Sequence, residues 1–301
     1  MQSIIEIENL KKSFRTDFWK KPINVLDGMS FTIDENRILG LIGANGSGKT
    51  TFLKILMGLI TQDGGQVYFK KHKNINLFKK VTGFLPERPY FYPYLTGMEF
   101  ILYQSKLHGL SKDQVSKAKS KWGERLSIEH ALDRKIKTYS KGMLQRLGFL
   151  SLLITDPDIL IMDEPLSGLD PIGRKDFKDI IREVHALGKT FFFSSHVLAD
   201  IEEVCHKVLV LNEGKVQFQG PLEEIFQQYP PEKYEIRISE KMSSLDEMAI
   251  CSNLGNSYQY VFDQKDYLRA VEKISSSNAN IKYFGPHNYN LESIIYNLKG
   301  V

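Results

Sequence analysis

Residues 43–50 read Gly-Ala-Asn-Gly-Ser-Gly-Lys-Thr, a glycine-rich loop closing on Lys49-Thr50, and that spacing is suited to holding polyphosphate. Gly43, Gly46 and Gly48 let the backbone turn its N–H groups toward an anion without side chains in the way. Lys49 supplies a point charge for the β and γ phosphates, and the Thr50 hydroxyl is placed to ligate Mg²⁺. The flanks agree with this reading. Ile38-Leu-Gly-Leu-Ile42 is an apolar run suited to a buried parallel strand, and Thr51–Met57 reads as a helix whose N-terminal dipole faces the anion.

A second stretch, Asp158-Ile-Leu-Ile-Met-Asp163-Glu164-Pro165, is an apolar strand with two carboxylates at its C-terminal end, where open α/β sheets bind ligands. Asp163 is a candidate Mg²⁺ ligand, acting through Thr50 or water. Glu164 is the candidate general base for the water that attacks the γ-phosphate. Ser167-Gly-Leu-Asp170 follows at once.

Tyr139-Ser140-Lys141-Gly142-Met143-Leu144-Gln145-Arg146 resembles the signature motif of the ATP-binding cassette (ABC) ATPases, and Ser194-Ser195-His196 resembles their switch-histidine loop. With the phosphate loop, the Asp163-Glu164 strand and Ser167–Asp170, these motifs stand in the order and at roughly the intervals of that family. The resemblance covers about residues 4 to 220 and implies an ABC transporter ATPase subunit, with ATP and Mg²⁺ as cofactors. The implied fold is an α/β P-loop NTPase with a RecA-like core, an antiparallel β subdomain and a helical subdomain near 88–145. The expected domains are 1–225 for the nucleotide-binding part and 232–301 for a small C-terminal α+β domain.

Within the resemblance, Asn45, Ser47 and Thr51 join the loop residues as nucleotide contacts, and Phe14 stands where the family stacks an aromatic on the base. Phe18 and Trp19 are nearby competitors for that role. His196 would contact the γ-phosphate and orient the water, and Lys49 and Glu164 complete the expected catalytic set. In the family two cassettes face each other head to tail, so Ser140 and Gly142 would serve the ATP of a second copy or a paralogous cassette. Ser140 offers a hydroxyl and Gly142 an unhindered N–H at the expected start of a helix.

Three positions depart from the general pattern. Lys141 and Met143 replace a glycine and a glutamine of the signature, with Lys141 a possible cation near the phosphates. Glu87, in Phe84-Leu-Pro-Glu87-Arg-Pro, stands where most of the family has a glutamine that touches Mg²⁺, and is the third candidate metal ligand. All three departures also occur in the drug, antibiotic and sodium exporter branch, whose closing segment Asn290–Gly300 resembles. Export is therefore the expected direction, through an integral membrane permease on a separate chain. The alternative class is a soluble ABC ATPase with a regulatory or remodelling role.

At 301 residues the chain has room for one large domain and a small one. A net charge of +4 is too mild to imply a nucleic-acid partner. From residue 231 onward 8 Lys/Arg stand against 9 Asp/Glu, so the excess positive charge lies in the nucleotide-binding part, densest at Lys70–Lys73 and Lys79-Lys80. The two cysteines, Cys205 and Cys251, have no metal-like spacing and suit a reducing compartment. The apolar runs fall far short of the ~20 residues of a spanning helix, and the N-terminus does not read as a signal peptide. A cytoplasmic protein, peripheral on the inner membrane face, is the expectation.

Alternation over 4–10 and 29–33 predicts antiparallel strands, with a third after Gly64-Gly65. Thr96 and Glu99 form a capping box for a helix ending near His108 with Gly109 as its stop, and a second helix is expected over 111–126. A core strand is expected from Thr190 and a hairpin over 207–218. Pro230-Pro231 marks the expected boundary, followed by strands at 234–238, 258–262 and 281–284 and a helix near 265–275. The aromatic segment Pro89–Leu95 offers large contact area at little entropic cost, as expected of a groove for a helix of the membrane partner.

Overall fold

The computed structural model describes residues 3–15, 19, 21–69, 74–277 and 279–299; Phe18 and the basic run Lys70–Lys73 lie outside them. The chain divides into two compact units, Met1–Leu222 and Glu223–Val301, so the division falls ahead of Pro230-Pro231.

In the first unit β1 (Ser3–Phe14) and β2 (Ile23–Asp34) pair antiparallel. Both are longer than the alternation predicts, because register shifts after Ile7 and after Lys12 interrupt the period of two. β3 (Ile38–Ile42) is buried along its whole length, as a central parallel strand must be, and leads through the phosphate loop into α1 (Lys49–Leu56). β4 (Gly64–Phe69) pairs with β1, giving a sheet of order β2-β1-β4. Asn74 caps α2 (Ile75–Val81), which runs directly into β5 (Thr82–Leu85).

The helical region is built by local signals. Thr96 and Glu99 make both bonds of a capping box at α3 (Gly97–Leu107), and Gly109 follows with φ +70°. Ser111 and Gln114 do the same for α4 (Lys112–Gly123). Ser140 caps α5 (Lys141–Ile154), whose second half is buried. Then follow β6 (Ile159–Asp163), α6 (Pro171–Ala186), β7 (Thr190–Ser195), α7 (Leu198–Val204), β8 (Lys207–Asn212) and β9 (Lys215–Pro221).

The main sheet has the order β5-β6-β7-β3-β8-β9, parallel except for the β8–β9 hairpin. Its register carries the site. Ile42 lies opposite Ser195, Asp163 opposite Ser194, and Leu85 opposite Met162, so four carboxyl ends stop at nearly one level. Phe52 of α1 packs edge-on against Phe31 of β2 and Phe192 of β7, joining the two sheets through one core.

The second unit holds α8 (Leu222–Gln228, its first residue still in the first unit), β10 (Lys233–Ile238), β11 (Ile250–Asn253), β12 (Tyr258–Asp263), α9 (Tyr267–Ser275), β13 (Ile281–Pro286) and α10 (Leu291–Lys299). Its sheet is antiparallel, ordered β11-β12-β10-β13, over a core of Ile236, Ile238, Tyr260, Phe262, Ala270 and Ile274. Short, exposed β11 has no clean alternation and is not legible in sequence. Cys205 is buried at the end of α7 and Cys251 lies in β11; both are free. Among the described residues no helix is long and apolar enough to cross a membrane.

Candidate nucleotide site

The phosphate loop turns on glycines that could not be replaced. Gly48 has φ +106°, and a Cβ there would stand 2.7 Å from the Val25 carbonyl and from Leu26 Cδ2. A Cβ on Gly43 would meet Ser47 Oγ at 2.4 Å. Lys49 Nζ reaches back to donate to the carbonyls of Gly43 (2.7 Å) and Ala44 (3.3 Å), and lies 3.8 Å from Glu164 Oε1. Burial pushes the Lys49 ammonium below its ordinary pKa, opposed by the charges of Glu164, Asp163 and Glu87. Among the described residues the buried Ser47 hydroxyl has no hydrogen-bond partner, a donor left over inside the loop.

β6 and β7 supply the acidic side. Thr50 Oγ1 donates to Asp163 Oδ2 at 2.7 Å, and Ser194 Oγ donates to Asp163 Oδ1 at 2.5 Å, so both carboxylate oxygens are oriented. The Glu164 N–H donates to Ser194 Oγ, and Glu164 sits at φ +50°, a left-handed conformation uncommon for glutamate. Such conformations cost about 1–3 kcal/mol and collect at functional sites. His196 Nδ1 lies 2.6 Å from Glu164 Oε2, and its backbone N–H donates to the same oxygen at 3.3 Å.

A cleft of about 480 Å³ opens over these groups. Asn45, Gly46, Gly48, Lys49, Thr50, Thr51, Glu87, Glu164 and His196, all expected from sequence, line it. Gly43, Ser47 and Asp163 lie beneath the lining and are tied to it by the contacts above. Phe14, Ser140 and Gly142 do not line it. Phe14 is about two-fifths exposed at the end of β1, with the Lys12 ammonium 5.3 Å from its ring centre. Lys141 does not point to the phosphate loop of its own chain; its amine donates to Ser167 Oγ at 2.9 Å.

Val25, Ala44 and Ser167 also line the cleft. Ala44 and Ser167 stood inside quoted motifs. Val25 falls in the β1–β2 register shift, where Lys12 pairs with Leu26 and Ser13 with Asn24, and a bulge of this kind leaves no mark in residue periodicity.

Comparison with known proteins places this geometry. The family profile described as ABC transporter matches residues 26–167. The uncharacterized ABC transporter ATP-binding protein YxlF of Bacillus subtilis (strain 168) is 34% identical over 266 residues, covering 87% of each chain. The chain belongs to the ABC transporter ATP-binding proteins. An uncharacterized ABC transporter ATP-binding protein of Nostoc sp. (strain PCC 7120) is 38% identical over 229 residues, or 74% of this chain and 68% of that one. Among solved structures, an ATP-binding subunit of an ABC transporter superposes with a TM-score of 0.68 at 26% identity, covering 75% of this chain and 93% of that one.

This ABC ATPase takes ATP with Mg²⁺, and the residues fit both. The unpartnered Ser47 hydroxyl and a lysine held only by loop carbonyls and a distant carboxylate are donors a polyphosphate would take up. Among the described residues no three His, Cys, Asp or Glu side chains cluster as a metal site. Mg²⁺ keeps waters and needs only one or two protein oxygens besides the phosphates, which Thr50 and Asp163 can supply.

Proposed function

We propose that this chain is the ATP-hydrolysing subunit of a two-part exporter, in which two cassettes close around ATP and a separate integral membrane protein carries the cargo. The observation that carries the reading is the meeting, at one edge of the parallel sheet, of donors without committed partners and an oriented pair of carboxylates. Backbone N–H groups of residues 45–50 and the Ser47 hydroxyl bind the phosphates, and Lys49 leaves the Gly43 and Ala44 carbonyls to follow them. Thr50 and Asp163, with Glu87 across the cleft, would hold Mg²⁺, which neutralises charge on the phosphates. Glu164 takes the proton of the attacking water, and His196, bonded to it, fixes its direction.

Phe14 stacks on the base at the rim. Ser140 is exposed at the start of α5 and lies outside its own cleft, so it and Gly142 serve the γ-phosphate held by the second cassette. Hydrolysis severs that shared phosphate and lets the two cassettes part.

The membrane partner docks on the aromatic segment. Tyr90 and Tyr94 are 86% and 78% exposed, Tyr92 meets the rings of Tyr90 and of Tyr103 in α3 edge-on, and Phe91 is buried against Phe100. The segment is thus anchored by one ring and presents the others. It begins beside Glu87, which links cleft and surface. Export as the direction, and the cytoplasmic membrane face as the place, rest on the resemblance of Glu87, Lys141, Met143 and the closing helix to the exporter branch.

The test is extraction of the tagged chain from its native membranes in mild detergent. A polytopic membrane protein should remain bound to the parent and be lost from a Tyr90→Ala/Tyr94→Ala variant whose basal ATP turnover is unchanged. Recovery of an active parent without any membrane protein would favour the soluble regulatory class.

A further inference from the structure

Lys141 is the first residue of α5, where the positive end of the helix dipole makes a cation unfavourable, and the first turn holds no acidic residue to offset it. Among the described residues its hydrogen bond to Ser167 Oγ at 2.9 Å is its one polar side-chain contact, and it makes no ion pair. The stem lies over Gly168, at φ +80°, where any Cβ would come within 2.8 Å of Lys141 Cδ. Beside it the two backbones nearly touch, since a Cβ on Gly142 would stand 3.0 Å from the Gly168 carbonyl. Two glycines thus let the start of α5 settle on the 164–170 turn, and Lys141 crosses the junction.

That turn belongs to the cleft. The Ser167 N–H donates to the Glu164 carbonyl at 3.0 Å, and Ser167 itself lines the site. α5 grips its surroundings twice more: Arg146 Nη2 pairs with Asp170 Oδ1 at 3.1 Å, and Gln145 Nε2 donates to the Glu87 carbonyl at 3.2 Å. One helix therefore holds the middle and the far end of the turn that begins at Glu164, and also the segment that carries Glu87.

We infer that Lys141 is a positioning residue for hydrolysis: through Ser167 it holds the turn following Glu164 against α5, so that the carboxylate keeps its aim at the attacking water. The inference rests on the assignment of Glu164 as base. It makes Lys141 act within its own chain, through a hydroxyl, and not on phosphate.

The experiment compares steady-state ATP turnover of the full chain with Lys141→Met, Ser167→Ala, the double variant and Lys141→Arg. Each single variant should lower kcat by about threefold to tenfold with KM for ATP nearly unchanged, the size expected for losing one hydrogen bond that orients a working group. The double variant should be no worse than the worse single one, and Lys141→Arg, which keeps a donor, should recover most of the rate. Multiplying effects in the double variant, or a rise in KM as the main effect of Lys141→Met, would overturn the inference and place the amine on phosphate. Unchanged kcat in both single variants would also overturn it. Failure of Glu164 as base is read separately, from turnover of Glu164→Gln.

Discussion

The Ser47 hydroxyl in the first unit and the Glu235 carboxylate in the second are buried polar groups left in opposite states. Among the described residues Ser47 Oγ has no partner, Lys49 is held by loop carbonyls, and the Glu164 backbone is left-handed. In the second unit Glu235, only 4% exposed on β10, is saturated: Arg237 donates to one oxygen at 2.7 Å, and Gln259 and His287 contact the other at 2.6 Å each. A buried charge that satisfies itself at home contributes to structure. A donor left over beneath an open cleft, as at Ser47, is available to a ligand; Arg237 Nε, also buried without a partner among the described residues, lies in a cluster whose carboxylate is already filled.

Three substitutions would break or sharpen that contrast. The largest effect belongs to Glu164→Gln, which should cut turnover by about 10²- to 10⁴-fold. ATP binding and melting temperature should stay close to the parent's, because no phosphate contact is lost. Turnover near the parental rate would remove Glu164 from the chemistry, and a large loss of stability would place it with Glu235 as a structural carboxylate.

Glu235→Ala should do the reverse. Breaking a buried ion pair strands its partners, and a cost of about 3 kcal/mol is expected, read as earlier melting of the second unit with intrinsic ATP turnover retained. Acid should reveal the same group. Burial alone would raise the Glu235 pKa, but hydrogen bonds from His287, Gln259 and Arg237 outweigh it and hold the carboxyl below the usual glutamate range. A depressed folded-state pKa means the stabilisation is complete above the unfolded value and is lost as pH falls through the folded one. The parent should therefore lose stability below about pH 4 more steeply than the alanine variant; parallel acid profiles would show that the cluster is not closed in this way.

The smallest effect is expected of Glu87→Gln. A carboxylate binds Mg²⁺ as a charged oxygen but repels phosphate when the metal is absent. Nucleotide titrations with and without Mg²⁺ should show the metal raising ATP affinity by a larger factor in the parent than in the variant. Equal factors would place Glu87 outside the reach of the metal, with its part confined to the surface that begins at Pro89.

What the sequence makes legible divides along physical lines. Local elements were legible where one residue type has one use: the glycines of residues 43–48, the Thr96–Glu99 box, the buried run of β3. Elements were missed or misjudged where periodicity is broken or absent, as at the β1–β2 bulge that brings Val25 to the cleft and at exposed β11.

The phosphate loop, the strand ending in Asp163-Glu164, the caps of α3 and α5, and the family are all written in residue order. These depend on backbone freedom, charge and spacing within a few residues. Tertiary packing set the turn of Lys141 to Ser167, kept Phe14 out of the cleft lining, and closed Glu235 with three partners. Each of those contacts joins residues on different elements, and their distances follow from strand register and helix packing, which no local pattern encodes.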